Sequence, residues 1–323
     1  MPTTAIRRTA RATITAAIIA AAFGGAAHAH VERPLHVAVI GDTPYGDDQV
    51  VALPELIGDI NVDRRIGMAI HVGDIKTGSS PCTDAYFAHI RSLFAGFRVP
   101  LAYTPGDNEW TDCHRPAAGG YVPTERLDAL RDVFFAEPGV TLGRRMRVQT
   151  QADEPGFEDF VENQLWVRSR VVWAALHVVG SNNGLASWFG AVETDAHRTD
   201  RLAEFEARLE ADLAWIDRTF EVAEGRRAAG VVLAMQADMW DGPAEAQTGF
   251  AELKQRIAAR AAAFGRPVLL LQGDSHRYKA DRPFATAPNV QRIVVEGETA
   301  SEWLRLVVSP RTPAVFAWTR EAV

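Results

Sequence analysis

The sequence predicts an α/β fold in which a sheet built through crossover connections carries helices on its outer faces. Two observations favour this class. Short apolar runs alternate with amphipathic stretches along most of the chain, which is typical of strands joined by helices. The composition of the 323 residues, 47% hydrophobic and 23% charged, is that of an ordinary globular protein with a large core.

The start of the chain precedes this pattern and predicts a cleaved signal peptide over residues 1–29. Arginines within residues 7–11 form a basic start, residues 13–27 are small and apolar, and residues 27–29 provide a small-x-small cleavage pattern. The apolar run has about 15 residues, whereas a bilayer span needs about 20. We therefore expect an exported protein, periplasmic or secreted, in which residues 30–323 form a single domain without a stable membrane span.

Six apolar runs are expected as buried strands, because each is short and continuous. They are residues 35–40, 69–72, 99–103, 171–179, 231–235 and 268–271. The amphipathic stretches expected as helices are residues 48–60, 84–95, 124–135, 197–223 and 246–263. Three closely spaced runs near the end predict either an antiparallel addition to the sheet or a second sheet packed on the first. These runs are residues 290–295, 303–308 and 314–318.

Charge and cysteine content narrow the class of protein. With 34 Lys+Arg against 41 Asp+Glu, the formal net charge is −7, and no basic domain or stripe is present. These features argue against nucleic-acid binding. The two cysteines, Cys82 and Cys113, are too few for a zinc finger or an iron–sulfur site. In an oxidising compartment they can form a disulfide, while two buried free thiols are the alternative interpretation.

Four Gly-Asp pairs fall at or just beyond the ends of predicted strands. They are Gly41-Asp42, Gly73-Asp74, Gly106-Asp107 and Gly273-Asp274. Because the carboxyl ends of parallel strands share one edge of a sheet, we expect the four carboxylates to converge there. Converging carboxylates repel one another unless cations neutralise them, so the pattern predicts a metal site. The alternative is that Gly-Asp is only a favourable turn pair.

A serine-dependent esterase is a weaker interpretation of the last of these motifs. Ser275 and His276 follow Gly273-Asp274, but neighbouring side chains on one turn point in different directions, which is unsuitable for a nucleophile and its base. The sequence contains neither a G-x-x-x-x-G-K-S/T phosphate-binding loop nor a G-x-G-x-x-G turn.

Taken in order, the motifs resemble those of the calcineurin-like metallophosphoesterase superfamily. That pattern runs D-x-H, G-D, G-N-H-E/D, a lone His after a strand, and G-H-x-H. The counterparts here are Asp42-Thr43-Pro44, Gly73-Asp74, Gly106-Asp107-Asn108-Glu109, Gln236 and Gly273-Asp274-Ser275-His276. The resemblance covers roughly residues 35–310 and implies two facing mixed β-sheets flanked by helices, a four-layer sandwich.

The resemblance also implies one or two divalent metal ions, with Asp74 as the bridging ligand. The ligands carried over to this chain are Asp42, Asp74, Asp107, Gln236, Asp274 and His276. Four positions at which the family has histidine are instead Pro44, Asn108, Gln236 and Asp274. Because carboxylate and amide oxygens replace imidazoles, Mg²⁺, Mn²⁺ or Ca²⁺ is favoured over zinc or iron.

The resemblance bears on the catalytic residues, whereas most of the substrate-binding residues are expected from their positions after strand ends. Asn108 stands where the family has a histidine near the substrate, and an amide can donate a hydrogen bond but cannot supply a proton. His114 and Asp112 are the alternatives for that proton. The residues expected to contact phosphate oxygens are Asn108, Asn182, Asn183, Arg115 and Lys76. A disulfide between Cys82 and Cys113 would join the two loops that follow the second and third motifs.

The function that these features predict is metal-dependent hydrolysis of a phosphate ester by a cation-bound water, with a small phosphorylated molecule as substrate. The loss of four histidines supports a different class as the alternative. In that case the chain is a catalytically degenerate scaffold that binds a cation, a phosphorylated ligand or an envelope partner. Hydrolysis that depends on added metal distinguishes the first function from the second.

Overall fold

Strands are the main elements of the computed structural model, which describes Met1, residues 33–298 and residues 302–323. In chain order they are β1 (Leu35–Ile40), β2 (Ile66–His71), β3 (Pro100–Tyr103), β4 (Leu142–Gly143), β5 (Gln149–Thr150), β6 (Gln164–Arg168), β7 (Val171–Ala175), β8 (Gly230–Ala234), β9 (Val268–Gln272), β10 (Lys279–Asp281), β11 (Val290–Val294), β12 (Glu302–Val308) and β13 (Phe316–Ala322). The signal peptide predicted over residues 1–29 lies outside the described residues, apart from Met1, and stays a prediction.

The strands form two mixed sheets. The first has the order β13-β12-β1-β2-β3-β4, and the second has the order β10-β11-β9-β8-β7-β6-β5. In the first sheet β1, β2 and β3 run parallel and the outer strands are antiparallel. In the second sheet β7, β8, β9 and β11 run parallel, again with antiparallel strands at the edges.

Within residues 33–298 and 302–323, five long helices cover the sheets. They are Gly46–Val62, Asp84–Phe94, Pro123–Phe134, Asp195–Gly225 and Ala251–Phe264. Short 3₁₀ turns occupy Thr111–His114, Pro116–Ala118, Gln151–Asp153, Gly190–Val192 and Ala244–Phe250, and Gly180–Asn183 forms one further turn. In the described part of the chain, no helix is both long enough and apolar enough to cross a lipid bilayer.

Three of the four apolar clusters among the described residues hold the layers together. Between the sheets, β1 and β2 residues such as Val39 and Ile70 pack with Trp173, Val232 and Leu271 of the second sheet. The outer face of the first sheet packs against the first three helices. The outer face of the second sheet packs against the last two. The predicted α/β class, with two facing mixed sheets flanked by helices, is confirmed.

Some elements differ from the sequence prediction. The strand expected over 171–179 ends at Ala175, because the His177 N–H donates to the Asn163 side chain instead of extending a ladder. The helix expected over 246–263 is a 3₁₀ turn followed by an α-helix. The last strands join both sheets. β12 and β13 are an antiparallel addition to the first sheet, which is one of the two arrangements expected. β11 instead runs parallel to β9 in the second sheet.

Candidate metal centre

Two groups of possible metal ligands lie beyond the carboxyl ends of the parallel strands. Asp42, Asp74 and His276 form the first group, and Asp74, Asp107 and Asp274 form the second. Within each group the ligand atoms lie within 4.8 Å of one another, so either group could hold a metal ion. Asp74 belongs to both groups. The convergence expected from the four Gly-Asp pairs is therefore present.

The glycines of the Gly-Asp pairs make this convergence possible. A Cβ at Gly106 would lie 2.0 Å from Asp74 Oδ1, and a Cβ at Gly273 would lie 2.3 Å from Asp42 Oδ2. Any side chain at these positions would displace a carboxylate. The glycine of one motif thus makes room for the aspartate of another, which is a stronger requirement than turn formation alone.

The backbone at the ligands is also unusual. Asp42, Asp74, Asp274 and His276 all adopt positive φ, at 50°, 59°, 74° and 51°. This left-handed region is costly for residues with a Cβ and is tolerated where the surrounding structure fixes it, often at functional sites. The strain accompanies the sharp turns that follow the strands and direct these side chains into one place.

Gln236 lies at the centre of the second group. Its Nε2 donates to Asp74 Oδ2 at 3.2 Å, to Asp107 Oδ1 at 3.1 Å and to Asp274 Oδ1 at 3.1 Å. Its Oε1 accepts the Gly180 N–H at 2.5 Å. The amide is thus a hydrogen-bond donor to the carboxylates, whereas the family resemblance implies a metal ligand at this position.

Tyr45 is a site residue that sequence reasoning missed. Its hydroxyl donates to Asp74 Oδ2 at 2.8 Å, accepts from Asn108 Nδ2 at 2.8 Å and lies 3.1 Å from His276 Nε2. An aromatic residue three positions after Asp42 looks like core packing in a sequence. Its place in the loop directly after β1 was the available signal.

The buried aspartates lack a lysine or arginine partner among the described residues. Burial raises the pKa of Asp42, Asp74 and Asp274, and the nearby charge of Asp107 raises each of them further. Across residues 33–298 and 302–323, no lysine or arginine forms an ion pair with these four aspartates. A bound cation would relieve this repulsion.

Among the residues that the structure describes, His276 is the basic group that contacts the first group. Burial would lower its pKa, but hydrogen bonds and charge from Asp42 and Glu298 outweigh burial and raise it. Its Nε2 lies 3.4 Å from Asp42 Oδ1, and its Nδ1 lies 3.1 Å from Glu298 Oε2. Glu298 therefore orients the imidazole so that Nε2 faces the aspartates.

An open cleft of about 310 Å³ leads to both groups. Its lining is Tyr45, Asp74, Thr77, Gly78, Asp107, Asn108, Asp112, Arg115, Asp274, His276 and Glu298. The Arg115 side chain is 46% exposed and pairs with Asp112 Oδ2 at 2.7 Å. Burial, with the charge of Asp107, raises the pKa of Asp112 to about 8. The predicted residues Asn108, Asp112 and Arg115 are thus together at the cleft.

Two other predicted residues do not line the cleft. Lys76 is fully buried, and its Nζ donates to the backbone carbonyls of Thr77 at 2.8 Å and Asn108 at 2.7 Å. Those bonds stabilise the loop and leave no ammonium for a substrate. The His114 ring lies 2.6 Å through Nδ1 from Thr111 O and packs against Phe189. Neither placement matches the role expected from the sequence.

The predicted pair Asn182 and Asn183 serves the loop rather than the cleft. Asn182 donates to Thr248 Oγ1 at 2.9 Å, and buried Asn183 accepts from Arg208 at 2.6 Å. The preceding residue, Ser181, reaches the site and was missed.

Ser181 donates to Asp107 Oδ2 at 2.8 Å and to Asp112 Oδ1 at 3.1 Å. Residues 181–183 all have positive φ, between 51° and 58°. Asparagine tolerates this conformation, so the Ser-Asn-Asn-Gly sequence signalled the turn without showing which side chain it would point at the cleft.

The two cysteines form the disulfide that the sequence left open. Cys82 and Cys113 are bonded, with a Cα–Cα distance of 5.8 Å, and the free-thiol alternative was wrong. Both sulfurs lie close to the Asn108 carbonyl, at 3.6 Å and 3.7 Å. The bridge therefore fixes the loops after β2 and β3 directly beside the cleft.

Two solved structures show a distant similarity to this chain. No family model matches the sequence, and no curated protein sequence matches it. Among solved structures, GAP50, the anchor in the inner membrane complex of Plasmodium, is similar with a TM-score of 0.46 and 8% identity, over 90% of this chain and 89% of that one. Purple acid phosphatase PPD1 from yellow lupin (Lupinus luteus) seeds is similar with a TM-score of 0.41 and 10% identity. That match covers 90% of this chain but 54% of the lupin chain. Similarity at this level leaves the activity of this chain to be argued from its own side chains.

Proposed function

We propose that this chain is an exported, metal-dependent phosphoesterase of the calcineurin-like superfamily. The observation that carries the proposal is the pair of ligand groups that share Asp74 beside an open cleft. The donor chemistry fits a cation, because Asp42 Oδ2 is buried and has no hydrogen-bond partner in the described part of the chain. A buried carboxylate oxygen without a donor is costly unless a cation approaches it.

The donor set favours a hard cation. Carboxylate oxygens dominate both groups and His276 supplies the single imidazole, so Mg²⁺, Mn²⁺ or Ca²⁺ suits them better than zinc. A divalent cation held by these residues supplies positive charge that polarises a phosphoryl oxygen and favours deprotonation of an attacking water.

The chain's own side chains perform the remaining work. Arg115, exposed at the cleft and oriented by Asp112, binds phosphate oxygens through its guanidinium. The Asn108 amide donates its two hydrogens to Tyr45 Oη and Asp74 Oδ2, so it positions these two groups beside the cleft. Asp112 lines the cleft, and burial raises its pKa, so it is the carboxyl placed to donate a proton to the leaving oxygen.

A binding protein without catalysis is the second candidate, and two observations favour it. Gln236 directs an amide N–H, not an oxygen, at the second group. The His114 imidazole, one of the two groups considered as an acid, lies outside the cleft lining. A scaffold of this kind would bind a cation or a phosphorylated ligand and release it unchanged.

The deciding experiment assays the purified full chain with p-nitrophenyl phosphate and bis-p-nitrophenyl phosphate, with Mg²⁺, Mn²⁺ or Ca²⁺ added after treatment with EDTA. We expect turnover with at least one metal and a loss of roughly 10²–10³-fold in Asp74→Asn, the scale seen when transition-state charge stabilisation is removed. Asp48→Asn, at an exposed position, is the matched control. Binding of metal without turnover would favour the second candidate, and turnover in EDTA would contradict both.

Export is proposed from the leader-like sequence and the disulfide. Disulfides persist in oxidising compartments, and Cys82–Cys113 is bonded in this chain. We expect expression in a bacterial host to give protein outside the cytoplasm, with an N-terminus at His30. Edman sequencing of the fractionated protein tests this, and an intact Met1 in the cytoplasmic fraction would contradict it.

A further inference from the structure

We infer that this chain binds one divalent cation, in the first group, and that the Gln236 amide takes the place of a second. The inference rests on the proposed function only in requiring that a metal is bound. It concerns stoichiometry, so it can fail while the proposed phosphoesterase activity stands. Three observations carry it: the orientation of the amide, the packing that holds it there, and the contrast with the first group.

The amide orientation is determined by its backbone partner. The Gly180 N–H can only donate, and it lies 2.5 Å from Gln236 Oε1. Rotating the amide by half a turn would oppose two donors at this distance. The NH₂ group therefore has to face the carboxylates of Asp74, Asp107 and Asp274.

The packing around Gln236 prevents the side chain from moving aside. The residue is fully buried. A Cβ at Gly73 would lie 2.7 Å from Gln236 Cβ, so its stem lies directly against the backbone of the loop after β2. The conformation of the Gln236 side chain is consequently fixed by packing in the interior, whereas an exposed side chain could adopt others.

An NH₂ group in this place is incompatible with a cation shared by the same three carboxylates. An amide nitrogen carries two hydrogens and has no free lone pair for a metal. Its distances to the three carboxylates, 3.1–3.2 Å, are those of ordinary hydrogen bonds. Its partial positive charge offsets part of their repulsion, as a second cation would.

The first group also meets an amide donor, since Asn108 Nδ2 donates to the shared Asp74 Oδ2 at 2.8 Å. It differs from the second group at Asp42 and His276. Asp42 Oδ2 has no partner among the described residues, and His276 presents Nε2 to the aspartates. Tyr45 also has a hydroxyl at this group, but a phenolic oxygen, unlike an amide nitrogen, retains lone pairs. The two groups therefore differ in chemistry although they share Asp74.

The test counts Mn²⁺ ions bound per chain, using the metal-stripped full chain, calorimetric titration and metal analysis after dialysis. We expect one Mn²⁺ per wild-type chain, with the electron paramagnetic resonance spectrum of an isolated ion. Gln236→His replaces the donor NH₂ with an imidazole, and we expect it to bind two ions with an exchange-coupled spectrum. Asp42→Ala should bind none, while the exposed control Asp48→Asn should bind one.

The outcomes separate this inference from the proposed function. Two ions in the wild type would overturn the inference and leave a phosphoesterase intact, whereas no ion in the wild type would overturn the proposed function itself. A folded Gln236→His variant that still binds one ion would also contradict the role given to the amide. If that variant fails to fold, Asp107→Asn decides the matter: it should still bind one ion, and loss of an ion relative to wild type would overturn the inference.

Discussion

Buried carboxylates are treated in two different ways in this molecule. Glu162 is completely buried and pairs with Arg131 and His177, each at 2.7 Å. Although burial opposes ionisation, these partners hold the pKa of Glu162 well below its usual value. Asp42 and Asp74 are buried to the same degree, yet no arginine or lysine in the described ranges pairs with them.

This difference in pairing indicates which buried carboxylates can bind a cation from solution. Asp238 repeats the paired arrangement, with Arg292 at 2.6 Å and Lys279 at 3.3 Å. Such pairing satisfies a buried charge permanently. The aspartates at the strand ends instead have two amides, a phenol, a serine hydroxyl and one imidazole around them. They are the carboxylates left available for a mobile cation.

The largest expected effect comes from giving the strand-end aspartates a permanent cation. In Gln236→Lys an ammonium would replace the amide and neutralise the second group from within. We expect Mn²⁺ binding to be lost and phosphoesterase activity to fall by roughly 10²–10³-fold, because the ammonium competes with the metal. The metal-free variant should also melt at a higher temperature than metal-free wild type. Calorimetry and thermal unfolding measure both, and normal Mn²⁺ affinity would contradict the comparison.

The converse change removes the arginine that pairs with the buried carboxylate of Glu162. Arg131→Met leaves that carboxylate with His177 alone, and we expect the free energy of unfolding to fall by about 4 kcal/mol. Added Mn²⁺ should not restore it, because Glu162 lies outside both ligand groups. Urea unfolding measures the loss. Arg145→Met, which breaks an exposed pair with Glu137, is the control and should leave the free energy of unfolding almost unchanged, because solvent screens exposed ion pairs.

The disulfide tests whether repulsion between the aspartates strains the loops that carry them. The double variant Cys82→Ser/Cys113→Ser removes a disulfide between residues 31 positions apart. The chain-entropy model gives a loss of about 3.7 kcal/mol in the free energy of unfolding for a loop of this length. We expect the loss to be larger in EDTA than in Mn²⁺, since an unneutralised site pushes the two loops apart. Equal losses under both conditions would show that the bridge acts on the unfolded chain alone.

Asp212 is intermediate between the paired and the unpaired buried carboxylates, and its replacement gives the smallest expected change in stability. It is buried and near Arg208 without pairing with it directly, and burial raises its pKa to about 7. A raised pKa means that the folded state binds the proton more tightly, so the stabilisation is lost as pH rises from about 4 to about 7. Over this range wild type should lose about 3 kcal/mol relative to Asp212→Asn, measured by urea unfolding. Asp200→Asn, exposed on the same helix, should track wild type.

The sequence predicted which residues of the site lie at strand ends, because these positions depend on backbone topology alone. The proximity of Asp74 and Asp107 could be predicted, because the parallel strands that precede them end at the same edge of the sheet. The direction of an individual side chain was beyond that rule. Lys76 follows a strand end like Asp74, but its long chain turns into the loop, and Gln236 shows its oxygen to Gly180 rather than to the carboxylates.

The same limit explains the elements that were missed. Two-residue strands such as β4 and β5 are too short to show a period of two. Ser181 reaches the cleft only because three successive residues adopt left-handed backbone geometry, which no pattern of apolar residues reports. In contrast, the long helix Asp195–Gly225 was placed within two residues at each end, since its apolar spacing persists over many turns.

The interlocking of the Gly-Asp pairs has a consequence for anyone who wishes to move this site into another protein. Gly106 leaves space for Asp74, and Gly273 leaves space for Asp42, so each dipeptide is completed by a residue from a distant part of the chain. A single motif grafted onto a foreign scaffold would bring its own aspartate but lack the glycine that accommodates it. The smallest transferable unit is therefore the whole set of strand-end loops, carried over with the spacing of both sheets.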